Sequence, residues 1–129
     1  RNNFAGKPLF HLLDACGMEL GEMDIFYRYE DGPKQGAVQF RMANAVKPGT
    51  FDLQDASFET PAVTFFLDMS EPRELMTAFD CMLATAKCVA DNLDGVLKDG
   101  DRSVMRSQTI EHCRQQIRDY ERRRLAKRA

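Results

Sequence analysis

The sequence predicts an α+β fold, an antiparallel sheet with helices packed on one of its faces. Three observations carry that reading. Two stretches rich in aromatic and branched residues flank a turn punctuated by Gly32, Pro33 and Gly36. A long run after Pro72 repeats apolar residues at three- and four-residue steps. A second helical stripe, followed by a basic tail, closes the chain. At 129 residues, 43% of them hydrophobic and nine of them Phe, residues 1–129 read as a single domain with enough apolar material for a core. A chain of this length buries roughly two-thirds of its unfolded surface.

The elements follow in order. Pro8 to Cys16 reads as a short helix, with Pro8 suited to the first helical position and Leu9, Leu12 and Leu13 on one face. Glu22 to Tyr29 reads as a strand, 30–36 as turn material, and Ala37 to Ala45 as the returning strand. Lys47-Pro48-Gly49-Thr50 fits a type II turn with Pro second and Gly third. Ala62 to Asp68 is a third strand. Ser70-Glu71-Pro72 opens the strongest helix, striped by Leu75, Phe79, Met82, Leu83, Ala86, Ala90 and Leu93 and stopped at Gly95. Val96 to Met105 forms a short hairpin. Ser107 then caps a last helix whose stripe is Ile110, Cys113, Ile117 and Tyr120.

Composition excludes several classes. A net charge of −2 and a pI near 5.7 do not advertise nucleic-acid binding. The charge is uneven: Arg114 to Ala129 carries +5, leaving −7 on the first 113 residues. Two readings of that tail stand: cations complementing the negative end of a helix, or attraction to an acidic partner or an anionic membrane surface. Cys16, Cys81, Cys88 and Cys113 lack CxxC spacing and lie in helical, apolar surroundings, as expected of free thiols in a reducing compartment. No stretch approaches the roughly 20 apolar residues that span a bilayer, and no signal peptide is visible. A chain beginning at Arg1 rather than Met reads as a piece of something longer.

One pattern departs from a simple helix-backed sheet. Such a sheet alternates apolar toward the helices and polar toward water. In the third strand Val63, Phe65 and Leu67 make one face by period two, yet Phe66 joins Thr64 on the other. Met23 and Ile25 oppose Asp24 and Phe26, and Ala43 and Ala45 share a face beside Lys47. Large apolar groups on both faces mean either a second covering layer or an exposed binding patch. The patch, with Met, Ile and Phe and a Lys at its margin, suits an amphipathic partner helix.

Catalysis has little support. His11 and His112 lie on helices with no nucleophile motif beside them. Glu71 with Glu74, and Asp99 with Asp101, sit at a helix start and a tight turn, where acids belong for dipole and turn reasons. No phosphate-loop, dinucleotide, zinc-protease or calcium-loop spacing occurs. No cofactor and no metal are therefore expected. An RNA platform would need an aromatic-glycine-aromatic signature and more cations than this face has, so no nucleic-acid partner is expected either.

Particular phrases carry a resemblance. Gly21-Glu22-Met23-Asp24-Ile25-Phe26-Tyr27-Arg28-Tyr29, Met42-Ala43-Asn44-Ala45-Val46-Lys47-Pro48-Gly49-Thr50-Phe51-Asp52 and Thr60-Pro61-Ala62-Val63-Thr64-Phe65-Phe66-Leu67 occur in that order. With Asp101 to Met105 and Gln108 to His112, they resemble the FtsZ-binding domain family of the bacterial cell-division protein ZipA from nearly end to end.

The resemblance implies a split β-α-β type fold, a six-stranded antiparallel sheet backed by three helices. It implies a non-catalytic adaptor that binds the C-terminal tail of FtsZ as a helix in a shallow apolar groove on the sheet face. The adaptor would help tether FtsZ filaments to the cytoplasmic side of the inner membrane through an upstream transmembrane segment, and would stabilise the division ring. Carried over by position, the groove is Met23, Ile25, Ala43, Ala45, Lys47, Thr64 and Phe66. Phe66 and Met23 would give the main apolar contacts, Ala43 and Ala45 room for ligand side chains, and Lys47 a partner for a carboxylate. Some members have Met where Ala45 stands, which implies a deeper or differently shaped groove here. The family's first strand, which adds two groove residues, is expected to precede Arg1.

Overall fold

Leu9 and Leu13 lie one helical turn apart and both are fully buried, which places the inward face of the first helix. They meet Phe26, Phe40 and Met42 from three strand positions and Val89 from the long helix, forming the main core. The structure, a computed structural model, describes residues 3–128. In chain order these form β1 (Phe4–Ala5), α1 (Gly6–Ala15), β2 (Glu19–Leu20), β3 (Phe26–Tyr29), β4 (Val38–Asn44), β5 (Glu59–Thr60), β6 (Val63–Phe66), α2 (Leu75–Asn92) and α3 (Ser107–Arg128).

The fold is α+β with antiparallel pairing throughout. Four strands form one sheet in the order β2-β3-β4-β6, and β1 pairs with β5 in a second. Period two sorts the main sheet into two faces. Phe40 and Met42 of β4, Phe26 of β3, and Val63 and Phe65 of β6 turn toward α1 and α2. The long helix α2 packs through Leu75, Phe79 and Leu83 against Ile117 of α3, with Ile110, Cys113 and Tyr120 around them. Burying each such side chain contributes about 1.5–3 kcal/mol. All four cysteines are free and partly buried. Burial pushes the thiols of Cys16 and Cys113 above their ordinary range, which disfavours the reactive thiolate.

The structure revises several expected elements. The strand expected over 22–29 is a hairpin: β2 ends at Leu20, a 3₁₀ turn covers Glu22–Asp24, and β3 begins at Phe26. The loop closes because the Gly21 N–H donates to the Ile25 carbonyl at 2.9 Å. Glu19 and Leu20 then pair back onto Tyr27 and Phe26. Period-two apolarity hid this turn, whose positive-φ positions are Met23 and Asp24 rather than glycine.

The turn after β4 is also shifted. The Gly49 N–H donates to the Val46 carbonyl at 2.8 Å across a cis Lys47–Pro48 bond, so Pro48 is third in the turn, not second. Gly49 takes φ +93°, which only glycine adopts readily.

Helix α2 begins at Leu75 rather than beside Ser70. The reason is a distant acceptor: the Glu30 carboxylate takes the N–H groups of Arg73 (2.8 Å) and Glu74 (3.2 Å). The hairpin of 96–105 reduces to one bridge, Lys98 with Val104. Six strands are described, but divided four and two. A strand preceding Arg1 lies outside the described residues.

Candidate functional site

The face of the main sheet turned away from α1 and α2 is built by register. Tyr27 pairs with Arg41, and Arg41 with Phe66, making one row across β3, β4 and β6. Ala43 pairs with Thr64, and counting one residue beyond the recorded pairs sets Ile25 beside Ala43. Ile25, Ala43 and Thr64 therefore make a second row, about 7 Å from the first. Phe66, the last residue of the outer strand β6, is 40% exposed on this face, whereas Phe65 next to it packs on the core. Thr64 is exposed, while Ile25 and Ala43 are half-buried.

The remaining predicted residues lie at the margins of these rows. Ala45 follows β4 and is exposed, its N–H donating to the Ala62 carbonyl at 3.1 Å. Lys47 is exposed in the turn beyond it. Met23 is not a strand residue: it stands at the tip of the β2–β3 turn with φ +63° and 79% exposure. Register thus brings Ile25, Ala43, Thr64 and Phe66 together, with Ala45 and Lys47 continuing β4 and Met23 offered from a loop.

That loop folds over the open face beside Tyr27. The Tyr27 hydroxyl donates to the Glu22 carbonyl at 3.1 Å. A Cβ at Gly21 would lie 2.8 Å from the ring, so the loop approaches Tyr27 as closely as only glycine permits. A cavity of about 380 Å³ lies elsewhere, lined by Glu30, Asp31, Gln39, Arg73, Glu74 and Thr77, and includes none of the seven predicted residues. Among the described residues no group of three or more His, Cys, Asp or Glu side chains is placed to hold a metal ion. No described helix is long and apolar enough to cross a membrane.

Comparison with known proteins decides the family. Residues 1–116 match the family model described as ZipA, C-terminal FtsZ-binding domain. The chain belongs to that family. It is similar to the cell division protein ZipA of Marinobacter nauticus, at 51% identity over 98% of this chain and 38% of that protein. The corresponding protein of Stutzerimonas stutzeri is 50% identical over 96% of this chain and 46% of its own length. That of Pseudomonas fluorescens strain SBW25 is 52% identical over 95% and 43%. The chain thus spans less than half the length of these relatives. The family is one of cell-division adaptors, not of enzymes, and both histidines are exposed on helix surfaces.

Three residues of the open face were missed from sequence. Arg41 donates through Nη1 and Nη2 to the two carboxylate oxygens of Glu71 at 2.5 and 2.8 Å. Its guanidinium also lies 5.2 Å from the centre of the Tyr27 ring. The Glu71 carboxylate, outweighing burial, holds the guanidinium firmly protonated. Arg41 shares the parity of Ala43, two positions on, which is the signal that places it on this face. Nothing in the sequence announces Glu71 as its partner, since 30 residues separate them.

Proposed function

We propose that this chain binds the C-terminal tail of FtsZ on the open face of its four-stranded sheet, with the tail folded as a helix against a shallow apolar groove. The observation that carries the proposal is Phe66, a large aromatic left 40% exposed at the end of β6 on a face where Ile25, Ala43 and Thr64 form the adjoining row. An amphipathic helix presents apolar residues at three- and four-residue steps, and such a stripe matches two short rows of this kind. Covering the exposed part of Phe66 contributes about 1–2 kcal/mol. Met23, unbranched and exposed on a loop, supplies an adaptable second contact. Lys47 pairs with a carboxylate at the rim, a contact worth about 1 kcal/mol or less. Ala43 and Ala45 leave room for the ligand's side chains.

In the whole protein this binding would help tether FtsZ filaments to the cytoplasmic side of the inner membrane, through a transmembrane segment N-terminal to the domain. The chain's span of less than half its relatives' length is compatible with that arrangement. Amide and methyl NMR spectra, titrated with the FtsZ tail peptide of the same organism, test the location. The expected result is saturable shifts centred on Ile25, Ala43, Ala45, Thr64 and Phe66. Shifts confined to the surface of α3 or to the cavity beside Gln39 would overturn it.

A further inference from the structure

Helix α3 changes character where it leaves the domain. As far as Tyr120 its inward face is Ile110, Cys113, Ile117 and Tyr120, packed beside α2. Continued at helical spacing, the same face next presents Arg124 and Lys127. Residues 122–127 are all exposed, and six consecutive exposed positions span the whole circumference of a helix. From Arg122 onward α3 therefore stands clear of the body. The family match ends at residue 116, so this extension lies outside the matched region.

The extension is strongly cationic. Residues 121–127 hold Arg122, Arg123, Arg124 and Lys127 against the single acid Glu121. Arg122 pairs with Asp119 inside α3, and Arg124 lies over the Tyr120 ring. Among the described residues, none of these cations pairs with an acid outside α3. Complementing the helix dipole needs cations only in the last turn, which Lys127 already supplies. Arg122 to Arg124 precede it. Like charges at Arg118 and Arg122, and at Arg123 and Lys127, moreover oppose a helix that has no packing to support it. Such an arrangement is relieved by an anionic counterpart.

We infer that the end of α3 docks on an anionic phospholipid surface. Protein partners are gripped through desolvated aromatic or aliphatic anchors in pockets, and among residues 122–127 Leu125 alone is large and apolar. A charged bilayer asks for no shape complementarity: each Lys or Arg near it raises affinity about fivefold. Leu125, 65% exposed among the cations, can enter the headgroup layer. The acidic remainder of the domain does not prevent approach. The extension reaches about 10 Å beyond Tyr120, and the field of the acidic body decays with a screening length of roughly 8 Å at physiological salt. A nucleic acid would instead lie along both the helix and the acidic body.

Flotation of the protein with vesicles of 30% phosphatidylglycerol in phosphatidylcholine tests this, beside pure phosphatidylcholine vesicles and a duplex DNA. The comparison variant is Arg122→Glu/Arg123→Glu/Arg124→Glu, whose fold is checked by circular dichroism; a chain ending after Tyr120 serves if it misfolds. The expected result is binding to the anionic vesicles alone, reduced about a hundredfold in the variant and weakened by salt. Absence of binding to anionic vesicles, equal binding to neutral ones, or unchanged binding by the variant and the shortened chain would overturn the inference. Tighter binding to DNA than to the vesicles would overturn it in favour of nucleic acid.

Discussion

Arg41 and Glu71 form a two-pronged ion pair on the open sheet face, with each terminal guanidinium nitrogen donating to its own carboxylate oxygen. It ties β4 to the segment leading into α2 and fixes Arg41 between Tyr27 and Phe66. Both side chains are largely shielded, at 21% and 32% exposure. A two-pronged pair in that setting exceeds an open surface pair. A double-mutant cycle of Arg41→Ala and Glu71→Ala, read by urea unfolding, is expected to give a coupling energy of about 1 kcal/mol.

The two faces of the sheet predict opposite outcomes for similar substitutions. Phe40→Ala empties a side chain that is 1% exposed within the main core. It is expected to cost about 3–5 kcal/mol. Phe66→Ala removes a ring already 40% exposed, and is expected to cost about 2 kcal/mol. Chemical denaturation of the two variants checks the contrast.

Glu30 predicts a pH effect. Its side chain is 7% exposed, and it accepts N–H groups of Arg73 and Glu74 as well as Arg73 Nε at 2.6 Å. Burial raises its carboxyl pKa, but these donors outweigh it and hold the group below the ordinary range. A depressed folded pKa means stability fully present above the unfolded value of about 4.3, and lost as pH falls through the folded one. Glu30→Gln is therefore expected to cost about 1–2 kcal/mol at pH 7. The gap between variant and parent should begin to narrow as pH falls below about 4.3 and go on narrowing through the folded pKa. Thermal melts from pH 7 downward measure it; a gap that does not narrow at all below about pH 4 would show that charge is not the cause.

How much was legible in the sequence follows from the range of the interactions. The stripe Leu75, Phe79, Leu83 and the alternation Val63 to Leu67 are local periodicities, and α2 and both faces of β6 appear where they predict. The division of the candidate residues by parity rests on the same period, and holds wherever the chain is truly extended, as at Ala43, Thr64 and Phe66. It fails at Met23 because a turn whose positive-φ positions are not glycine imitates a strand in composition. Three features depend on contacts between distant segments and left no local mark: the start of α2, set by Glu30; the Arg41–Glu71 pair; and the β1–β5 pairing of Phe4 with Thr60.

The most direct test of the central claim is a calorimetric titration with the FtsZ tail peptide of the same organism, run in parallel on the parent protein and Phe66→Ala. The expected result is saturable binding by the parent, and binding at least tenfold weaker in the variant while its circular dichroism stays native. A parent that does not bind the peptide, or a folded variant that binds it equally well, would contradict the assignment of the open face.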